Sequence, residues 1–149
     1  MDVLQETPTA LRQFLGGLTE RQIAEPEATG KWSVRQLLQH LADSELVWGY
    51  RLRTVLAEDR PRLTGYDQDL WAERLRYDEA NAAQAVEDFE GLRRSNLRLL
   101  AGAPRDAFTR VGVHSERGEE SVEHMVRLYA GHDLLHLAQL ERIRRAVTR

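Results

Sequence analysis

The sequence contains no cysteine, and its only lysine is Lys31. The absence of cysteine excludes disulfide bonds, thiolate metal ligands and a cysteine nucleophile. No apolar run approaches the roughly 18 residues that a membrane-spanning helix needs, so we expect no membrane contact. The first residues lack the basic start and apolar run of a signal peptide, which favours a cytoplasmic location.

An excess of positive charge is also missing, because 21 basic residues face 24 acidic ones and the net charge is −3. This balance gives no electrostatic reason to expect binding to nucleic acid. Arg93, Arg94 and Arg98 are clustered, but acidic residues lie between such clusters, so we expect a solvated face. A length of 149 residues with 42% hydrophobic residues is typical of one globular domain over residues 1–149.

The most informative segment is 131–138, which contains His132 and His136 four residues apart. Residues at this spacing lie on one face of a helix, so both imidazoles point the same way. That face is apolar, because the neighbouring residues at spacings of three and four are Met125, Tyr129, Leu140 and Ile143. Buried polar groups need a partner, and a metal ion satisfies two converging imidazoles at once.

Hydrophobic periodicity predicts four long helices. We expect the first to begin at Thr7-Pro8, which suit an N-cap and a first helical position, and to fade near residue 24. The second begins in a capping box formed by Ser33 and Gln36 and runs to about residue 58. His40 lies at the edge of its apolar stripe and faces inward.

The third helix is predicted from an N-cap at Asp78 to about residue 100, and the fourth from an N-cap at Ser121 to about residue 146. The long connection 60–77, with a short helix near 67–73, allows the second and third helices to run parallel. Residues 108–114 alternate weakly and can be extended. These elements predict an all-α four-helix bundle with a long crossover between helices two and three.

His40, His132 and His136 are the predicted metal ligands. Three neutral imidazoles leave an open coordination position, as in catalytic rather than structural sites. We expect Asp43, Glu45 or Asp133 to accept the second N–H of a liganding histidine. The same pattern also fits histidines that pack in the core without metal.

Other metal patterns fit less well. The segment 132–136 resembles the zinc-protease pattern His-Glu-x-x-His, but Asp133 stands in the place of the glutamate and its side chain is shorter. His114 lies in a predicted loop, and His124 lies near the start of the fourth helix, where a solvated role or a cap is expected. No histidine has a glutamate three residues before it, which argues against a ferritin-like di-iron site.

Residues 32–45 and 131–140, with the loop 112–119, together resemble the DinB-like (damage-inducible, YfiT-like) superfamily of metal-dependent enzymes. The resemblance extends over nearly the whole chain. It implies a bundle in up-down-down-up order, often dimeric, with one divalent metal held by His40, His132 and His136. Three nitrogen ligands suit several transition metals, of which we expect Zn or Ni.

Characterised members of this family include S-transferases that use low-molecular-weight thiols. The resemblance therefore implies a metal-dependent thiol S-transferase that acts on small electrophilic molecules, and we expect a homodimer with a small-molecule substrate. One alternative is a hydrolase that uses a metal-bound hydroxide. Another is a metal-stabilised stress or binding protein without turnover. The sequence identifies neither a general base nor any other catalytic residue.

Overall fold

The computed structural model describes all residues from Met1 to Arg149. Six α-helices and three short strands follow one another along the chain. The helices are α1 (Asp2–Gly16), α2 (Glu20–Ala24), α3 (Val34–Ala57), α4 (Gln68–Arg74), α5 (Ala82–Gly102) and α6 (Val122–Val147). The strands are β1 (Arg62–Leu63), β2 (Val111–His114) and β3 (Gly118–Ser121). The long helices α1, α3, α5 and α6 form the predicted four-helix bundle.

Helix α3 begins where the sequence predicts. The Ser33 hydroxyl accepts a hydrogen bond from the Gln36 backbone N–H, and the Gln36 side chain accepts one from the Ser33 N–H. Ser121 likewise caps α6, and Asp67 caps α4. These caps satisfy backbone donors that have no partner inside the helix.

The first helix differs from the prediction at both ends. It begins at Asp2, so Thr7-Pro8 lies inside the helix, and the Thr7 hydroxyl donates to Val3 O instead of capping. Pro8 cannot donate to the carbonyl of Leu4, four residues earlier. That carbonyl instead accepts from Arg93 Nη1 at 2.9 Å. The helix ends at Gly16, and α2 is a separate helix capped by Thr19.

The start of α5 also differs. Asn81, rather than Asp78, caps this helix, and its side chain accepts from the Gln84 backbone N–H. Asp78 lies in a short 3-10 turn over Tyr77–Glu79. Both residues are suitable caps, and the sequence gives no local reason to choose the later one.

Helices α3 and α5 run parallel, as the long crossover predicts. Arg35 near the start of α3 donates to Asp78 O just before α5. Further along both helices, Arg53 donates to Ser95 Oγ and to Asn96 Oδ1. The connection between them contains β1 and α4, and β1 pairs in parallel with β2 in a small sheet of order β1-β2-β3.

Helix α6 runs antiparallel to α3, because His40 lies beside His136 while Trp48, further along α3, stacks on Tyr129. The start of α1 shares an apolar cluster with the start of α6, and the end of α1 shares another with the end of α6. Helices α1 and α6 are therefore parallel. The resulting order is up-down-down-up.

The core consists of two apolar clusters separated by a layer of buried polar side chains. One cluster contains Leu11, Leu41 and Leu140, and the other contains Leu4 and Trp48. Each long helix contributes polar residues to this layer: the buried Thr7, His40, Ser44, Glu45, Arg93, Asn96, Asp133 and His136, and the half-buried His132. No helix in this structure meets the length and hydropathy that a membrane span requires.

Candidate metal centre

The three predicted histidines lie side by side in the polar layer. His40 projects from α3, and His132 and His136 project from successive turns of α6. The Nε2 atoms of His132 and His136 are 3.1 Å apart. One ring nitrogen from each of the three histidines lies within 4.8 Å of those of the other two. Their ring centroids are 4.3–5.6 Å apart.

All three imidazoles are neutral at pH 7. Burial lowers the pKa of His40 to about 4, and the neighbouring His136 lowers it further. Burial, followed by the charges of His136, His40 and Arg93, lowers the pKa of His132 to about 3. Burial also lowers the pKa of His136. Metal coordination requires the neutral form of imidazole, which this environment supplies.

The hydrogen bonds around the centre orient its lone pairs. His136 Nδ1 contacts Gln139 Oε1 at 2.9 Å. With this oxygen as the acceptor, Nδ1 has the proton and Nε2 presents a lone pair toward His132. His40 Nε2 lies 3.3 Å from Ser44 Oγ, which in turn lies 2.9 Å from the Tyr66 hydroxyl. His40 Nδ1 is buried and has no hydrogen-bond partner.

These nitrogens fit a divalent transition metal. Two imidazole nitrogens on one tetrahedral zinc ion lie about 3.3 Å apart by simple geometry. The Nε2 atoms of His132 and His136, 3.1 Å apart, are close to this spacing. The cluster of possible ligands contains no carboxylate and only three histidines. Three protein ligands would leave room for water or substrate, as at catalytic sites.

A cavity of about 580 Å³ opens over this centre. His40 and His132 form part of its wall, together with Ser44, Arg51 and Tyr66. Burial raises the pKa of Tyr66 and of Tyr129, so both phenols remain protonated at neutral pH. A small molecule that enters this cavity therefore meets two histidines and several hydrogen-bond donors.

The three acidic residues that we expected to accept hydrogen bonds from the histidines bind other groups instead. Asp43 accepts from the hydroxyl of Tyr77 and from Gln39. Glu45 and Asp133 turn away from the centre and bind a guanidinium on α5. The side chains that do contact the histidines, Ser44 and Gln139, were not predicted. Their spacings of four and three residues from His40 and His136 are the signal that sequence reasoning missed.

The guanidinium that Glu45 and Asp133 bind belongs to Arg93, which is buried rather than on the predicted solvated face. Its Nη1 donates to Asp133 Oδ2 at 2.6 Å, and its Nη2 donates to Glu45 Oε2 at 2.9 Å. Asn96 donates to the other oxygen of Glu45 at 2.8 Å. This network joins α3, α5 and α6 directly behind the histidines.

The two remaining histidines lie outside the centre. His124 is exposed in the first turn of α6. His114 is buried at the end of β2, where its Nδ1 accepts from the Glu116 backbone N–H. The prediction of a solvated His114 was therefore wrong. It lies in the wall of the cavity, because pairing of β2 with β1 and β3 turns it inward.

Comparison with known proteins decides the family. A family model described as the DinB superfamily matches residues 4–140. The chain belongs to the DinB superfamily. The match includes all three histidines of the centre and most of every long helix of the bundle. The resemblance expected from the two histidine segments is thus confirmed.

Two similar proteins have names that contain the same description of activity. The chain is 29% identical over 146 residues to the "Putative metal-dependent hydrolase YfiT" of Bacillus subtilis, covering 97% of this chain and 82% of that protein. It is 33% identical over 141 residues to a protein named "Putative metal-dependent hydrolase" from Bacillus pumilus, with coverage of 94% and 80%.

A solved structure also matches. YfiT from Bacillus subtilis, described as having "an unusual four-helix bundle topology", superposes with a TM-score of 0.90 at 28% identity. The superposition covers 97% of this chain and 83% of that one. This similarity agrees with the up-down-down-up bundle described above.

Proposed function

We propose that this DinB protein is a metal-dependent hydrolase of small molecules, with one divalent metal bound by His40, His132 and His136. The observation on which the proposal rests is the convergence of three neutral imidazoles beside a cavity, without a carboxylate among the possible ligands. The names of its relatives support hydrolysis rather than the thiol transfer that the family resemblance first implied. Zn and Ni are the metals that we propose.

When bound, a divalent metal on three imidazoles supplies Lewis-acid chemistry, which activates water near neutral pH and polarises the bond to be cleaved. The protein holds the ligands in place. Gln139 fixes the protonated nitrogen of His136, and Ser44 contacts His40. The Arg93 network anchors Asp133, which precedes His136 by three residues on the same helix. The protonated phenol of Tyr66 lies in the cavity wall, 2.9 Å from Ser44 Oγ.

The first test measures metal content by elemental mass spectrometry in protein purified without an affinity tag. We expect about one equivalent of transition metal in the parent, and at least tenfold weaker metal binding after His136→Ala. His124→Ala is the matched control, because this exposed histidine lies outside the centre. Parent protein that gains neither bound metal nor thermal stability from added Zn or Ni would overturn the proposal.

A second measurement separates hydrolysis from thiol transfer. The metal-loaded protein is assayed against ester, amide and phosphoester substrates with and without an added low-molecular-weight thiol. Hydrolysis that needs no thiol and disappears in His136→Ala is the expected result. Product formation only in the presence of thiol, with the thiol bonded to the product, would contradict a hydrolase.

A further inference from the structure

Arg51, on α3, is a buried cation without an acidic partner. Only 5% of its surface is exposed, and it forms no ion pair within 4.0 Å. Its single side-chain hydrogen bond runs from Nη2 to the carbonyl of Thr64 at 2.5 Å. Removing a cation from water is costly unless an anion compensates it. The guanidinium of Arg51 therefore has donors available for a negatively charged ligand.

Other arginines show that this arrangement is unusual within the molecule. Arg93 is also buried, but two carboxylates bind it. Two further arginines of the cavity wall also have carboxylate partners, since Arg117 pairs with Glu120 and Arg127 with Glu123. Arg51 alone among the cations of this cavity lacks one.

Arg51 lines the same cavity as the candidate metal centre. It follows His40 by eleven residues and Ser44 by seven on α3, and these intervals keep all three on one helix face. All three belong to the wall of the same cavity. The Tyr66 hydroxyl, 2.9 Å from Ser44 Oγ, adds a neutral polar group to this wall. The only acidic side chain in this wall is Glu116.

We propose that Arg51 binds an oxyanion group, carboxylate or phosphoryl, of a small molecule that occupies the cavity beside the three histidines. A guanidinium presents two parallel N–H donors that match either group. The identification of this molecule as a substrate rests on the proposed hydrolase function, whereas the anion site itself does not. The substrates would then be esters, amides or phosphoesters that have an anionic group at a distance from the cleaved bond.

The test titrates the zinc-loaded protein with inorganic phosphate, acetate and neutral acetamide, followed by NMR or calorimetry. We expect phosphate or acetate to bind and acetamide to bind at least tenfold more weakly. Arg51→Met should weaken anion binding at least tenfold. Arg127→Met is the matched control, because Arg127 lies in the same wall but already has a carboxylate partner, and its anion affinity should stay within twofold of the parent.

Two further measurements guard against a trivial loss of structure. Arg51→Met should keep one equivalent of zinc and at least the parental melting temperature, because it removes a buried charge that lacks a counterion. If this variant does not fold, Arg51→Lys is the alternative, because it keeps the positive charge but lacks the two parallel N–H donors of a guanidinium. It should bind phosphate measurably more weakly than the parent. Unchanged anion binding in the folded Arg51 variant overturns the proposal.

Two more outcomes would also overturn it. The first is the absence of phosphate and acetate binding by the parent. The second is anion binding that is lost in His136→Ala but kept in Arg51→Met, since the anion would then bind the metal alone. Failure of zinc binding, in contrast, contradicts only the proposed function. A pair of ester substrates, one neutral and one carboxylated, completes the test, because Arg51→Met should lower kcat/KM at least tenfold for the carboxylated ester only.

Discussion

At the scale of single residues, Arg93 shows what a buried charge requires. It lies with 1% of its surface exposed between Glu45 and Asp133, which are equally enclosed. Its guanidinium also contacts the Phe89 ring at 4.6 Å and supplies the donor that the Leu4 carbonyl lacks because of Pro8. A network of this kind is costly to break from one side, because the remaining charges stay buried.

Replacement of Arg93 by alanine should lower the free energy of unfolding by about 3–5 kcal/mol, since two buried carboxylates lose their counterion. Arg94→Ala is the matched control, because Arg94 is exposed and forms no ion pair, and it should change stability by less than about 0.5 kcal/mol. Urea denaturation of both variants provides the measurement. Equal free energies of unfolding for the two variants would show that the Arg93 network does not stabilise the fold.

At the scale of elements, the small sheet is packed tightly against α3. A methyl group added at Gly112 in β2 would lie 2.7 Å from Val55 Cγ2 and 2.8 Å from Leu63 Cδ1. Both neighbours are buried, with at most 2% of their surface exposed, so neither can move freely. Glycine at this position therefore lets β2 approach both the helix and β1. This approach helps to hold His114 in the cavity wall.

Gly112→Ala should destabilise the protein by about 1–3 kcal/mol through overpacking. Gly91→Ala in α5 is the contrasting variant, because nothing lies within 4 Å of the added methyl group. There the better helix propensity of alanine should stabilise by about 0.5–1 kcal/mol. Thermal unfolding of the two variants compares them directly, and a neutral Gly112→Ala would contradict the close packing.

At the scale of the whole molecule, the centre couples stability to pH. The folded state keeps His40 and His132 neutral with pKa values of about 4 and about 3, against an ordinary value of 6.5. Below pH 6.5 the unfolded chain therefore binds protons that the folded chain does not. The stability that these neutral histidines contribute is complete above pH 6.5 and is lost as the pH falls toward the folded-state pKa values.

Metal-free protein should lose stability between pH 6.5 and pH 5, by ~1.4 kcal/mol per pH unit for each histidine that stays neutral. Urea denaturation across this range measures the slope. His132→Leu removes one of the titrating groups. The dependence of unfolding free energy on pH should then become shallower by up to ~1.4 kcal/mol per pH unit, the contribution of one proton. An identical slope in the parent and the variant would contradict the assignment. Added zinc should raise stability in proportion to the logarithm of its concentration at pH 7.

Much of the bundle could be predicted from local sequence patterns. The capping box at Ser33, the cap at Ser121 and the helical spacing of His132 and His136 act within a few residues, so they are visible without the fold. The first helix was misplaced because Thr7-Pro8 is a good start signal, yet the donor lost at Pro8 is replaced by Arg93, 85 positions further along the chain. The expected homodimer and single domain remain predictions.

The sequence by itself determined that three histidines face the interior of a bundle, because periodicity assigns a side chain to a helix face. Only the tertiary structure decided which groups meet there. Asp133 follows His132 by one residue and so points about 100° away on the helix, toward Arg93 rather than toward the centre. Likewise, the absence of an acidic partner for Arg51 depends on how segments distant in the chain pack together. Such pairings arise from packing between elements, which no local pattern encodes.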